Sequence, residues 1–389
     1  MLPVQPMTRH PKNPRVIVLT IALLAGAIAL LAREHRPSFL RPGLRLNAYI
    51  TTADGNVSVV DLVRLRVVAR IPVGPALSGL REHPTRPEVW GVSTHGGYVF
   101  VLDSRSNQIT AHIPVGASPF SLDFSADGNR IYTTSSGTDT LLAIDCRSHA
   151  FLGSARTGRE PVLARVTPNG KAILVLNHGD ASLGVHDAAT LAQHASIPVV
   201  SQPDDVAILP DSSIAFVLSR TQPRLSVVDL RRGVLLANLQ LAGTPSDMLL
   251  KPDGGELYVI SPDSHGLQVI NTWTHEVGDY VMLGYAPTRG ILSADSSLLY
   301  VTDVSASRVT AVDINNRRVI RTVNDGRELL ISVGQSPDAI RFDPAENLLL
   351  VVNRGSGDLS VIRARLENQS LLTMIPVGDH PQELAVKLF

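Results

Sequence analysis

Cysteine is all but missing from this 389-residue chain: Cys146 stands alone, which excludes an internal disulfide framework and a cysteine-built zinc or iron–sulfur site. Charge is also scarce, at 18 %, and it cancels, with 35 Lys+Arg against 35 Asp+Glu. A balanced total leaves no electrostatic footprint for nucleic acid. Scarce charge beside 44 % hydrophobic residues excludes a disordered chain and argues against a helical bundle, whose outer faces need Glu and Lys. The twelve histidines show no H-x-H or H-E-x-x-H spacing, so no metal site is expected. His95, His178 (close to Asp180), His186 and His380 read as turn or surface residues. G-x-S-x-G elbows, P-loops and paired-carboxylate motifs are absent in any usable context. Asn56-Val57-Ser58 has the form of a glycosylation acceptor but sits at a strand start.

What the chain does have begins with one long apolar run. Residues 16–32 (VIVLTIALLAGAIALLA) carry no charge and only Thr20 as a polar side chain. A helix of that length spans about 25 Å, the short end of what crosses a bilayer. Residues 1–15 form a short tail with Arg9, Lys12 and Arg15, and residues 33–45 form a linker with Arg33, Arg36, Arg41 and Arg45. Basic residues at both ends leave the positive-inside rule undecided. Ala25-Gly26-Ala27 offers a signal-peptidase site, but the apolar run continues five residues past it, which favours an uncleaved anchor over a cleaved signal. The expectation is a membrane-anchored domain outside the cytoplasm, periplasmic or at the cell surface.

The remainder is repetitive. A short apolar strand ending in an acid recurs at Asp61, Asp103, Asp145, Asp187 and Asp229, continues at Asn271 and Asp313, and ends at Arg363. Six successive intervals are 42 residues and the last is 50, with the excess around 324–331. A second landmark keeps step: Pro119, Pro161, Pro203, Pro245 and Pro287, then Pro337 and Pro381. Each unit reads as four short strands, as in PFSLDFS, IYTTSS, TLLAID and AFLGSAR over 119–156, with Asn-Gly, Asp-Gly or Asp-Ser hairpins between the first two. Four strands per 40–45 residues is the pattern of a β-propeller blade. The fold class is therefore all-β, with residues 46–389 forming the propeller.

The second strand begins YITT, YTTS, FVLS, YVIS and YVTD in successive units, flanked by VVD-type strands, IPVG endings and Pro-Asp-Gly hairpins. This resembles the YVTN-repeat family of bacterial propellers, the YncE-like and surface-layer-type proteins. The resemblance implies fold and says nearly nothing of chemistry. Its members are usually seven-bladed, whereas the arithmetic here gives eight units of strands two to four and eight first strands, out of phase. The chain opens on a second strand and closes on a lone first strand, 382–389, which is expected to pair with the N-terminal unit and close the ring.

The acids ending each third strand read as turn caps, because they recur by repeat and not as a constellation. Tyr49, Trp90, Tyr132, Phe216, Tyr258 and Tyr300 read as packing between blades. Function is sought where repeats disagree, on the innermost strands facing the channel. Two residues past the proline position stand Gly79, Ser121, Leu163, Asp205, Asp247, Arg289, Ala339 and Glu383. Two further on stand Arg81, Asp123, Arg165, Ala207, Leu249, Ile291, Arg341 and Ala385. The candidate mouth is thus Asp205, Asp247, Arg289, Arg341, Glu383, Asp123, Arg81 and Arg165. It has two readings, a polar binding site or charge pairing between neighbouring blades, of which pairing is the simpler.

At the level of function, the expectation is a binding scaffold of the cell envelope, its partner an envelope protein or cell-surface ligand, with no nucleic acid, no cofactor and no catalytic residue. The alternative is a propeller enzyme, either haem- or quinone-bearing or hydrolytic in the manner of a lactonase. The absence of C-x-x-C-H removes covalent c-type haem.

Overall fold

The computed structural model describes residues 45–321, 328–364 and 369–389. The expected anchor at 16–32, its flanking segments 1–15 and 33–44, and part of the 324–331 excess lie outside the described residues. Among the described residues, no helix is long and apolar enough to cross a membrane.

Eight antiparallel sheets follow one another along the chain. Their innermost strands are Leu77–Glu82, Pro119–Phe124, Pro161–Val166, Asp205–Ile208, Asp247–Leu250, Pro287–Leu292 and Pro337–Phe342 for blades 2 to 8. Blade 1 takes its innermost strand, Leu384–Leu388, from the C-terminus, and its other three, Leu46–Thr51, Asn56–Asp61 and Arg66–Pro72, from the start of the domain. The closure expected from the out-of-phase count is what forms. Leu46 faces Leu388, Ala48 faces Val386 and Ile50 faces Leu384, and Arg45 and Phe389 exchange both backbone bonds at the outer end. The C-terminal strand thereby covers the inner edge of Leu46–Thr51, which would otherwise be left unpaired.

The 42-residue period is a blade-to-blade period, and the buried residues show why it holds. Second and third strands are buried almost throughout, because each sheet is covered on both faces by its neighbours. Each apolar cluster accordingly joins two blades: Val59 and Tyr49 of blade 1 pack with Leu80, Phe100 and Leu102 of blade 2. The recurring aromatics lock this packing. Tyr132 is 2 % exposed, and its hydroxyl crosses to donate to the Ala188 carbonyl of blade 4 at 2.7 Å. Tyr49 makes the same reach from blade 1 to the Ser104 carbonyl of blade 2 at 3.4 Å.

The acids ending the third strands do cap turns. One Asp145 oxygen accepts the Arg147 and Ser148 amides at 2.9 and 2.7 Å. Asp61, Asp103, Asp187 and Asp229 each accept the same pair of amides, Asn271 does so with its amide oxygen, and Asp313 accepts the second of the two. The turn then carries one residue in the left-handed region, such as Leu65, Asn107, His149 or Arg317, before the fourth strand begins on a bulge. In blade 7 the fourth strand is split. Arg318–Val319 and Leu330–Ser332 both pair with Arg308–Asp313, and the innermost strand of this blade, Pro287–Leu292, keeps its place in the repeat.

Candidate functional site

The eight innermost strands enclose a cavity of about 900 Å³. Seven of the eight candidate residues line it: Arg81, Arg165, Asp205, Asp247, Arg289, Arg341 and Glu383. Asp123 is the exception. Its carboxylate turns sideways to accept the Val166 amide of blade 4 at 2.9 Å.

That sideways bond is one instance of a general device. Several innermost strands begin with a register shift, between Ser78 and Arg81 in blade 2 and between Pro287 and Gly290 in blade 7. The shift takes amides out of the ladder, and a buried amide needs an acceptor. The preceding blade supplies one. Glu383 accepts Gly79 and Leu80 with its two oxygens at 3.0 and 2.6 Å, Asp247 accepts Gly290 at 2.9 Å, and the Ser121 hydroxyl accepts Ala164 at 3.2 Å. Gly79 is required at its position: its φ is +61°, and a Cβ there would lie 3.2 Å from the Phe120 carbonyl.

Charge pairing between blades is present but partial. Arg165 reaches Asp205 of the next blade at 3.6 Å, and Arg289 reaches Asp247 of the preceding blade at 3.8 Å and Asp338 of the following one at 3.7 Å. Glu383 corrects the simple pairing scheme, since its oxygens go to backbone amides and not to an arginine. Arg81 and Arg341 have no carboxylate within 4.0 Å among the described residues. The Arg81 guanidinium is half-buried, and burial, followed by the nearby positive charges of Arg165 and Arg341, pulls its pKa down. Three guanidiniums thus share the deeper layer on blades 8, 2 and 4, while blades 5 to 7 present Ala207, Leu249 and Ile291 at that level.

The upper layer on blades 5 and 6 is acidic. The Asp247 side chain is 14 % exposed. Burial pushes its carboxyl up to about 6, opposed by Arg289 and the Gly290 amide and assisted by Asp205.

Four charged residues of the wall escape a reading built on two positions per strand: Asp204, Asp338, Arg220 and Arg354. Asp204 and Asp338 follow the proline position directly. Arg220 and Arg354 follow the end of the second strand, where other repeats have Thr94, Ser136, His178, Pro262 and Val304. Disagreement among repeats at those positions was the available signal. Phe120, 52 % exposed, adds an aromatic face to the wall.

The remaining singled-out residues are structural. His186 is fully buried with its Nδ1 against the Leu191 carbonyl at 3.1 Å, and burial lowers its pKa. Burial pushes the Cys146 thiol up to about 12, leaving no reactive thiolate. Among the described residues no group of three His, Cys, Asp or Glu side chains is placed to hold a metal ion. The channel wall carries no histidine, cysteine, tyrosine or lysine, and Met248 contributes its only sulfur among the described residues. That donor set does not fit a haem iron, which proteins hold by His, Cys, Met or Tyr, usually with a histidine or a thiolate.

No family model and no curated protein matches the chain. Solved structures do match. The dihydro-haem d1 dehydrogenase NirN, in complex with DHE, is similar over 90 % of this chain and 77 % of its own, at a TM-score of 0.73 and 18 % identity. Hydrazine synthase of Kuenenia stuttgartiensis is similar over 73 % of this chain and 94 % of its own, at 0.57 and 18 %. A Desulfotomaculum acetoxidans protein of unknown function is similar over 73 % of this chain and 98 % of its own, at 0.57 and 13 %. At such identities the likeness is one of fold, and the chain is an eight-bladed β-propeller.

Proposed function

We propose that the chain is a binding protein of the cell envelope whose channel takes a small anionic ligand. The observation that carries this reading is the trio Arg81, Arg165 and Arg341. Like charges converge inside one cavity, with Arg81 partly desolvated by it, and two of the three lack a carboxylate partner among the described residues. Glu383 and Asp123 direct their oxygens to backbone amides and act on Arg81 only through space, opposing the fall in its pKa, while Asp205 pairs with Arg165. Burying guanidiniums together costs free energy that a multivalent anion would recover, and planar forks suit carboxylate or phosphate oxygens. The volume, about 900 Å³, lies within the usual range for small-molecule sites. Phe120 and the apolar side of the wall favour a ligand with a flat or hydrophobic part.

The apolar run at 16–32 supports attachment to the membrane, and the likeness of the repeats to the YVTN type favours an envelope setting outside the cytoplasm. A second reading has one specific observation in its favour, the fold likeness to a protein solved with DHE. The three arginines could hold the acid groups of such a macrocycle, but the wall supplies no fitting iron ligand beyond the Met248 thioether, so no redox step is assigned to it.

Native mass spectrometry of the full-length protein, taken in mild detergent from its own host's membranes, tests the proposal. A surplus of a few hundred daltons that disappears in Arg81→Gln/Arg165→Gln supports it. A surplus the size of a protein subunit, unchanged in that variant, overturns it in favour of a scaffold for a protein partner.

A further inference from the structure

We propose that Asp247 is the proton-exchanging group of the channel: when an anion settles on the arginines, its carboxyl takes up one proton from solvent and becomes a hydrogen-bond donor towards the ligand. This rests on the anion-binding reading above.

Geometry sets Asp247 apart from the other wall acids. Its side chain lies on the innermost strand of blade 6, largely buried, yet it lines the same cavity as the arginine trio. One oxygen is held by the Gly290 amide at 2.9 Å. The other meets its neighbouring Met248 amide at 3.1 Å and the Arg289 guanidinium only at 3.8 Å. That guanidinium is shared with Asp338 of blade 8 at 3.7 Å, so it neutralises neither acid fully. The other charged groups facing Asp247 are Asp205 from blade 5, which repels it, and Arg220 from the turn after the second strand of that blade, which attracts it. Asp205 itself holds its own-strand Val206 amide at 2.8 Å and Arg165 at 3.6 Å.

With its carboxyl raised to about 6, Asp247 is ionised at neutral pH with a margin of about one pH unit. An anion entering the cavity adds negative charge in the desolvated space that Asp247 lines, which favours the protonated form. Linkage makes this reciprocal: protonating Asp247 must tighten anion binding by the same factor. No bond in the ligand is made or broken, and the only transfer is a proton from water to the carboxylate.

The test is calorimetric titration of the full-length, detergent-solubilised protein with benzene-1,3,5-trisulfonate, whose charges do not titrate. It is run on either side of pH 6 in two buffers of unlike protonation enthalpy. The expected result is uptake of up to one proton per ligand near neutrality. Affinity should weaken by as much as about tenfold for each pH unit above the free-state midpoint. Asp247→Asn should abolish the uptake and bind alike at every pH, whereas Asp205→Asn should keep the uptake. Binding by the native protein without proton uptake overturns the proposal, and that measurement needs no variant to fold. Uptake that survives in Asp247→Asn overturns it as well. Failure of the native protein to bind at any pH instead removes the anion-binding reading on which it rests.

Discussion

Asp145 and Asp247 are aspartates on strands of the same repeat, one at the periphery of blade 3 and one at the axis in blade 6. Their surroundings drive them in opposite directions. Asp145 caps a turn near solvent, and the Ser148 amide and hydroxyl hold its carboxyl below the usual range. Asp247 is pressed between strands beside a second acid, and burial raises it to about 6. The outer ring uses its acids alike in blade after blade, because each blade must make the same turn. The inner ring uses each acid differently, because the bulges and the neighbours differ. Identity of residue predicts role only where the local backbone repeats, so the periphery is frame and the axis is where something can be bound.

The largest way to break that contrast acts on the frame. Deleting 384–388 should remove the buried Leu384, Ala385 and Val386 and the ladder to Leu46–Thr51, costing on the order of 5 kcal/mol. Chemical denaturation should show it, and unchanged stability would mean the ring is not held by its closure. At the axis, Arg81→Gln/Arg165→Gln should leave the unfolding midpoint within about 1 kcal/mol of native while losing the bound anion, as read by native mass spectrometry. Loss of stability in the variant relative to ligand-free native protein would make these arginines frame after all.

Gly79→Ala lies on the border between the two regions. It forces a Cβ into a left-handed backbone 3.2 Å from the Phe120 carbonyl, and should cost about 1–2 kcal/mol in thermal or denaturant unfolding. Asp145→Ala should cost about 1 kcal/mol by leaving two turn amides without their acceptor, with no change in anion binding.

The last contrast is a pH dependence of opposite sign in the two rings. For Asp145 the folded pKa is depressed, so its contribution is present at neutral pH and is lost as pH falls through the folded value. For Asp247 the folded pKa is raised from 3.8 to about 6. The folded state therefore holds the extra proton between those values, and stability declines as pH rises through that window. Asp247→Asn should remove that decline, so the variant gains on the native protein above pH 6 and not at pH 4, in melting curves across that range. Parallel pH profiles for native protein and variant would return Asp247 to the frame.

Most of the architecture was legible in the chain. The 42-residue spacing of Asp61 to Asp313 sets the blade repeat, and the lone first strand at 382–389 implies the closure that the structure contains. The channel wall was legible in part. Alternation along the innermost strands placed Arg81, Asp205, Asp247 and Glu383 on the inner side, because side-chain direction in a strand follows from position alone. It did not show that Glu383 would spend its oxygens on amides freed by a bulge and Asp123 on an amide of the next blade, nor that Asp204, Asp338, Arg220 and Arg354 would join the wall. A bulge is a one-residue offset between two strands, invisible in either strand alone.

By itself, then, the sequence determined what recurs: strand lengths, capped turns, aromatic clamps, the number of blades and the means of closing them. These follow from local periodicity and from interactions between residues that stay close along the chain. Only the tertiary structure decided which charges meet across the axis, which are consumed by backbone amides, and which stand without a partner. Those outcomes depend on angstrom-scale offsets between strands some 40 residues apart, and from Arg81 to Arg341 across most of the chain. Electrostatic energy in a desolvated space changes steeply over such distances.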